Sequence, residues 1–275
     1  MKKLLFPFFT AMLAIMLSGC TKSTDGPGRL VVKVTDAPFP INMVESATVT
    51  ITKVELRKEG DGESDGSQFL TVWEGSEAFN LLELRNGLVE QLLDVVIPQG
   101  SFDLVRLYVD QAGLKIKDGG DYEVKIPSGP QTGIKIFIDP VLVVEGGLTS
   151  ELLLDFDLSK SFVMRGNTDS PAGISGFIFK PVIRAVNNST AGSLSGTVTD
   201  SEKAVIAGTA ISVKQEDKEV GTATTDDNGH YTIIGLHSGT YTVTATKENY
   251  QVATTNDVKI VAGNQTTLDF VLAKI

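Results

Sequence analysis

From residue 30 onward the chain alternates β-branched or aromatic residues with polar ones in short runs: 30–34 (LVVKV), 47–52 (ATVTIT), 102–109 (FDLVRLYV), 133–138 (GIKIFI) and 177–179 (FIF). Runs of this kind, separated by Gly, Pro, Asn and Asp, predict strands. The one segment with helical spacing is 87–93, where Leu88 and Leu92 share a face before Pro98 forbids extension. It is too short to alter the class, and the chain is expected to be all-β. At 187–193 (NNSTAGS) small polar residues interrupt the apolar pattern, and a second series of short strands begins. The pattern predicts two tandem β-sandwich domains, 30–186 and 192–275, joined by a linker at 187–191. With 157 and 84 residues, each domain is long enough to bury a core. Residues 97–104 (IPQGSFDL) and 236–243 (LHSGTYTV) echo one another: an apolar residue, a glycine turn, and an aromatic that opens an alternating strand.

The N-terminus follows a different pattern. Lys2 and Lys3 precede an apolar run at 4–17, too short to cross a bilayer but of signal-peptide length, and Leu17-Ser18-Gly19-Cys20 closes it with small residues and a cysteine. We expect a lipoprotein signal peptide at 1–19, lipidation of Cys20, and a tether at 20–29 (CTKSTDGPGR) lifting the first domain off the membrane. The spacer resembles those of outer-membrane lipoproteins, and Thr21 stands where an inner-membrane retention signal would place Asp, so the expected location is the outer membrane. Cys20 is the only cysteine, which excludes disulfides and thiol nucleophiles from the mature chain. Without Lys2 and Lys3 the chain carries 22 basic and 34 acidic side chains, net −12, which argues against nucleic acid and against docking on anionic lipid by a basic patch.

Candidate chemistry is sparse. The two histidines, His230 and His237, sit in turn or strand-end positions, and neither a phosphate-binding glycine loop nor a Gly-x-Ser-x-Gly elbow occurs. Asp61, Glu63 and Asp65 followed by Gly66 open like a calcium loop, but Val72 occupies the position of the closing bidentate Glu. Calcium is the one cofactor this chain suggests, and a solvated acidic turn is the competing reading. Asp155 and Asp157 share one face of a strand, opposite Leu154, Phe156 and Leu158, and could work with Asp36 as an ion site or acid–base pair. For stacking on a glycan the candidates are Trp73, Tyr231, Tyr241 and Tyr250, with Trp73 readable as core or as platform and the phenylalanines mostly in apolar positions.

Two resemblances follow from longer motifs. Gly196-Thr197-Val198-Thr199-Asp200, residues 225–231 (TDDNGHY), residues 235–243 (GLHSGTYTV) and Asn249-Tyr250 resemble the carboxypeptidase regulatory-like domain. That resemblance implies a prealbumin-like, non-catalytic sandwich close in fold to starch-binding domains. The first strand, 193–199, has no lysine, so the isopeptide cross-link of related adhesin repeats is not expected. Val34-Thr35-Asp36-Ala37-Pro38, Leu84-Arg85-Asn86-Gly87, residues 126–135 (IPSGPQTGIK), Leu154-Asp155-Phe156-Asp157 and residues 179–184 (FKPVIR) resemble domain of unknown function 4382, found in bacterial lipoproteins. It implies architecture and context but no chemistry. The combined expectation is a non-catalytic outer-membrane lipoprotein that binds a glycan or a cell-envelope protein. A structural, assembly or spacer role is the alternative, and a carboxylate-based hydrolase is further off.

Overall fold

The computed structural model describes residues 26–37, 44–60, 69–124, 126, 129–166 and 173–275. The signal peptide, Cys20 and the acidic loop with Asp61, Glu63 and Asp65 lie outside the described residues. The chain is all-β. The first domain consists of β1 (Gly28–Ala37), β2 (Val44–Lys58), β3 (Phe69–Asn80), β4 (Glu90–Ile97), β5 (Gly100–Ile116), β6 (Asp121–Val124), β7 (Ile134–Val144), β8 (Thr149–Asp157), β9 (Phe162–Gly166), β10 (Ile174–Phe179) and β11 (Ile183–Asn187). Two single turns, α1 (Gly129–Thr132) and α2 (Leu158–Ser161), interrupt it.

The main sheet runs β3-β2-β5-β7-β11-β8-β1-β4, with β6 on β5. It folds over on itself where β7 meets β11 through a parallel bridge between Ile138 and Ala185, so that two four-stranded faces oppose each other. Alternation decides what fills the gap. Leu30, Val32 and Val34 of β1 and Leu152, Leu154 and Phe156 of β8 meet Val49, Ile51, Val54 and Leu56 of β2 and Val105, Leu107 and Val109 of β5 in one core. The intervening β8 residues Leu153, Asp155 and Asp157 take the opposite face, which turns out to be the face the second domain covers.

The expected helix at 87–93 is instead the approach to β4, which pairs antiparallel with β1. Leu92 and Leu93 are both buried because the β1–β4 register shifts at Val32/Lys33. A bulge of this kind lets two consecutive residues face inward, which mimics helical spacing in the sequence.

The second domain packs a sheet of β12 (Gly192–Asp200), β15 (His230–Leu236), β18 (Gln265–Thr267) and β19 (Phe270–Leu272) on another of β13 (Ala210–Gln215), β14 (Lys218–Thr224), β16 (Gly239–Thr246) and β17 (Ala253–Ile260). Leu194, Val198, Ile211, Val213, Ile233 and Phe270 lie in its core. The two domains meet through a small apolar cluster of Leu153, Val186 and Ala191 with Ile234. The connection between them is pinned. Asn187 Nδ2 donates to Val141 O at 3.0 Å, Ser189 Oγ accepts from Glu151 N at 2.8 Å, and Asn188 donates to the Glu151 carboxylate.

Candidate functional site

The outward residues of β8 begin the junction. Asp155 Oδ2 accepts from Arg184 Nη2 at 2.7 Å and Nε at 3.2 Å, and Arg184 Nη1 donates to Gly235 O of the second domain at 3.1 Å. A second clamp comes from the turn before β4. Asn86 sits at φ +62° and Gly87 at +81°, a backbone that Asn and Gly tolerate best. From there the Asn86 amide imitates a strand partner: its Oδ1 accepts from Thr232 N at 2.8 Å and its Nδ2 donates to His230 O at 3.1 Å. Gly87 is pressed so closely against Thr232 that an added Cβ would lie 2.6 Å from Thr232 Cγ2. Lys160 of α2 bridges Asp157 at 2.7 Å and Glu219 of the second domain at 3.3 Å. Segments 34–37, 84–87, 154–157 and 179–184, which carry the resemblance of the first domain, thus all reach or border this junction.

Asp36 lies beneath it. It is 5% exposed; its Oδ1 accepts from Leu158 N at 3.3 Å, and its Oδ2 has no partner among the described residues. Burial, then the negative charge of Asp155, push its pKa up to about 9, with the Leu158 bond only partly opposing. Burial also works against the Asp157 carboxylate, but its bonds from Lys160 and Ser159 prevail and hold it below the ordinary aspartate range. The three carboxyls envisaged as an ion site or acid–base pair do come together. Each is already engaged: Asp155 by Arg184, Asp157 by Lys160 and the start of α2, and Asp36 by closure from solvent. Among the described residues no group of three or more His, Cys, Asp or Glu side chains is arranged to hold a metal ion.

Next to this junction the domains leave a cleft of about 860 Å³. One side is lined by β7, β8, α2 and β11, the other by the β13–β14 turn and the β15–β16 region. Phe137 of β7 stands in it 61% exposed, with the Arg57 guanidinium 5.8 Å from its ring centroid and Arg57 itself held by Asp103 through two 3.0 Å bonds. Lys135 and Asp139, two residues to either side of Phe137, also line the cleft and are exposed.

The aromatic candidates lie in or against the two cores. Tyr231 is 1% and Tyr241 3% exposed; their hydroxyls donate to Leu268 O at 2.6 Å and His237 O at 2.7 Å, and burial raises both phenol pKa values. Both rings belong to the second core; Tyr231 is closed off, while Tyr241 also borders the cleft beside His237. Tyr250 is half-buried against that core and bridged to Lys274. Trp73 is half-buried against the first core, its indole lying over Gly75, where a Cβ would come 2.5 Å from the ring. The exposed ring at the cleft is Phe137. Its signal was the Lys135-Phe137-Asp139 alternation on the polar face of a strand whose other face is Ile136 and Ile138.

Residues 27–181, more than half of the chain, match the model of a family described as a domain of unknown function (DUF4382). The chain belongs to that family. Behind its DUF4382 domain, residues 193–273 match the carboxypeptidase regulatory-like domain. No curated protein matches. Among solved structures, the DUF4382 chain is similar to a type II cohesin–X-dockerin complex from Acetivibrio cellulolyticus, with 28% identity over 30% of this chain and 58% of that one, TM-score 0.25. It is also similar to 3-chlorocatechol 1,2-dioxygenase from Rhodococcus opacus, with 17% identity over 32% and 61%, TM-score 0.25. A third likeness is to shaft pilin SpaA from Lactobacillus rhamnosus GG, with 13% identity over 91% and 98%, TM-score 0.28. The chain spans about three fifths of the first two solved chains. At these TM-scores no activity transfers. The regulatory-like domain and the paired sandwiches fit a non-catalytic binding or structural module.

Proposed function

We propose that this DUF4382 protein is a non-catalytic binding module of the cell envelope, anchored in the outer membrane by lipid on Cys20, which receives a glycan or a segment of an envelope protein in the cleft between its domains. The exposed Phe137 in that cleft carries the reading. A concave site that combines an apolar face with a few convergent polar groups is the usual form of a ligand-binding cleft. The engagement of Asp155 by Arg184 and of Asp157 by Lys160, both of which reach the second domain, and the closure of Asp36 from solvent favour binding over hydrolysis. The test is a co-purification and glycan-array screen of wild type against Phe137→Ala. Ligands retained by the first and lost by the second support the reading, and an identical profile for both removes the cleft from it.

An assembly role has one observation in its favour. Strand β4 ends the main sheet, and Val96 on it is 70% exposed, so a further strand could add there. Concentration-dependent association that Val96→Lys abolishes would shift the reading to assembly.

A further inference from the structure

We propose that the cleft takes a neutral oligosaccharide, with one sugar ring stacked on Phe137 and its hydroxyls shared between the two domains. This rests on the reading that the interdomain cleft is the ligand site, and it names what the site selects. The volume, about 860 Å³, falls within the roughly 300–1,000 Å³ of small-ligand sites and suits a few sugar rings better than a folded partner.

Charge decides the class. On the first domain's side, Lys135 and Asp139 flank Phe137 on the same exposed strand face, placing a donor before the ring and an acceptor after it. On the facing side, Glu216 of the β13–β14 turn and Lys218 at the start of β14 repeat the pair. None of these four makes an ion pair among the described residues, whereas Arg184, Asp155, Lys160, Asp157 and Glu219 are paired within the cleft walls. A polyanion would meet Asp139 and Glu216, and a polycation would meet Lys135 and Lys218. A sugar hydroxyl both donates and accepts, so it satisfies either kind of group without importing charge. The apolar face of a pyranose covers Phe137, which is the division of labour such a ring allows: an apolar face with polar groups at its edge.

An extended peptide is the rival occupant, because β14 borders the cleft at the end of its sheet. The β13–β14 register shifts where Val213 and Lys214 face Gly221 and Glu219, leaving Val220 as the extra residue on β14. A bulge interrupts the evenly spaced backbone groups that an added strand needs.

The test is calorimetric titration of the full-length protein in a non-glycosidic detergent. The probes are maltoheptaose, cellohexaose, xylohexaose and mannohexaose, with oligogalacturonate, chitosan oligomers and a set of extended hexapeptides as charged and peptide comparators. At least one neutral oligosaccharide is expected to bind. Phe137→Ala should weaken it roughly tenfold, the affinity equivalent of one aromatic stacking face, and Phe137→Tyr should preserve it. Asp139→Asn and Lys218→Gln should each weaken it less, without altering the melting temperature. Failure of all four neutral probes, or binding untouched by Phe137→Ala, overturns the proposal. Binding of oligogalacturonate, chitosan or a peptide in their place, lost with Phe137→Ala, overturns the neutral-sugar assignment while leaving the cleft as the ligand site. If no probe of any class depends on Phe137, the cleft reading fails with it.

Discussion

Asp36→Asn is expected to stabilise the protein at neutral pH and to flatten its response to pH. The Asp36 carboxyl is buried, one oxygen lacks a partner among the described residues, and Asp155 and Asp157 repel its charge. The folded protein therefore keeps this proton to about pH 9, while an unfolded chain releases it near pH 3.9. Because the folded value is the higher one, the stabilising contribution is whole below about pH 4 and is lost as pH rises toward 9, at about 1.4 kcal/mol per pH unit. At pH 7 that amounts to about 4 kcal/mol, a large part of the roughly 5–15 kcal/mol that holds a typical domain. Asparagine has no proton to take up, and its carbonyl can still accept from Leu158 N. The gain falls short of the full figure because the new NH₂ group must find an acceptor in the same closed space.

The assay is urea denaturation of both proteins at pH 5, 6, 7 and 8. Glu55, Asp157 and Asp200 are held below their ordinary values, so their contributions are present above about pH 4 and are lost only in acid, outside this window. Wild type should lose about 1.4 kcal/mol per pH unit relative to the variant. Parallel stability curves for the two proteins, or a variant less stable at pH 7 with the same slope, would refute the reasoning.

Three further outcomes are expected. Asn86→Ala should leave Thr232 N–H and His230 C=O without their partner, cost about 1–3 kcal/mol, and speed amide exchange at Thr232; unchanged exchange there would remove Asn86 as a clamp. Cys20→Ser should block acylation and release the chain from membranes, which mass spectrometry of the mature N-terminus checks; an unmodified N-terminus elsewhere in wild type would contradict the anchor. Millimolar calcium should leave the melting temperature unchanged, because Val72 cannot close a loop begun by Asp61, Glu63 and Asp65; a rise that Asp65→Ala abolishes would make that loop a calcium site.

The strands of both domains were legible because their alternation is local: Leu152, Leu154 and Phe156 declare an inner face wherever the chain goes. Strand β4 was not, since Leu92 and Leu93 point inward together through a bulge at Leu92 that shows only in its pairing with β1, about sixty residues earlier. Asn86-Gly87 could be read as a turn, but its hold on β15 spans about 145 residues of chain and leaves no local trace. The exposure of Phe137 was legible and was passed over. Lys135-Phe137-Asp139 alternates against Ile136 and Ile138, yet the tendency of phenylalanine to lie in apolar positions outweighed that pattern. Tyr231 was misplaced for the converse reason: its alternation with Ile233 sets its ring in the second core.

The parallel pairing of β1 with β8 has a mechanical meaning. Arg29 to Ala37 run beside Thr149 to Asp157 in nine unbroken register steps. The proposed anchor precedes β1 in the chain, and the cleft lies at the far end of β8. With the anchor proposed at Cys20, a tug on a captured ligand would pull the two strands past each other lengthwise, loading all nine steps together. Peeling would break them in succession. A receptor that must keep hold of a heavy or moving partner gains from that arrangement, since with such an anchor traction arriving at the cleft would be carried along the strands rather than across them.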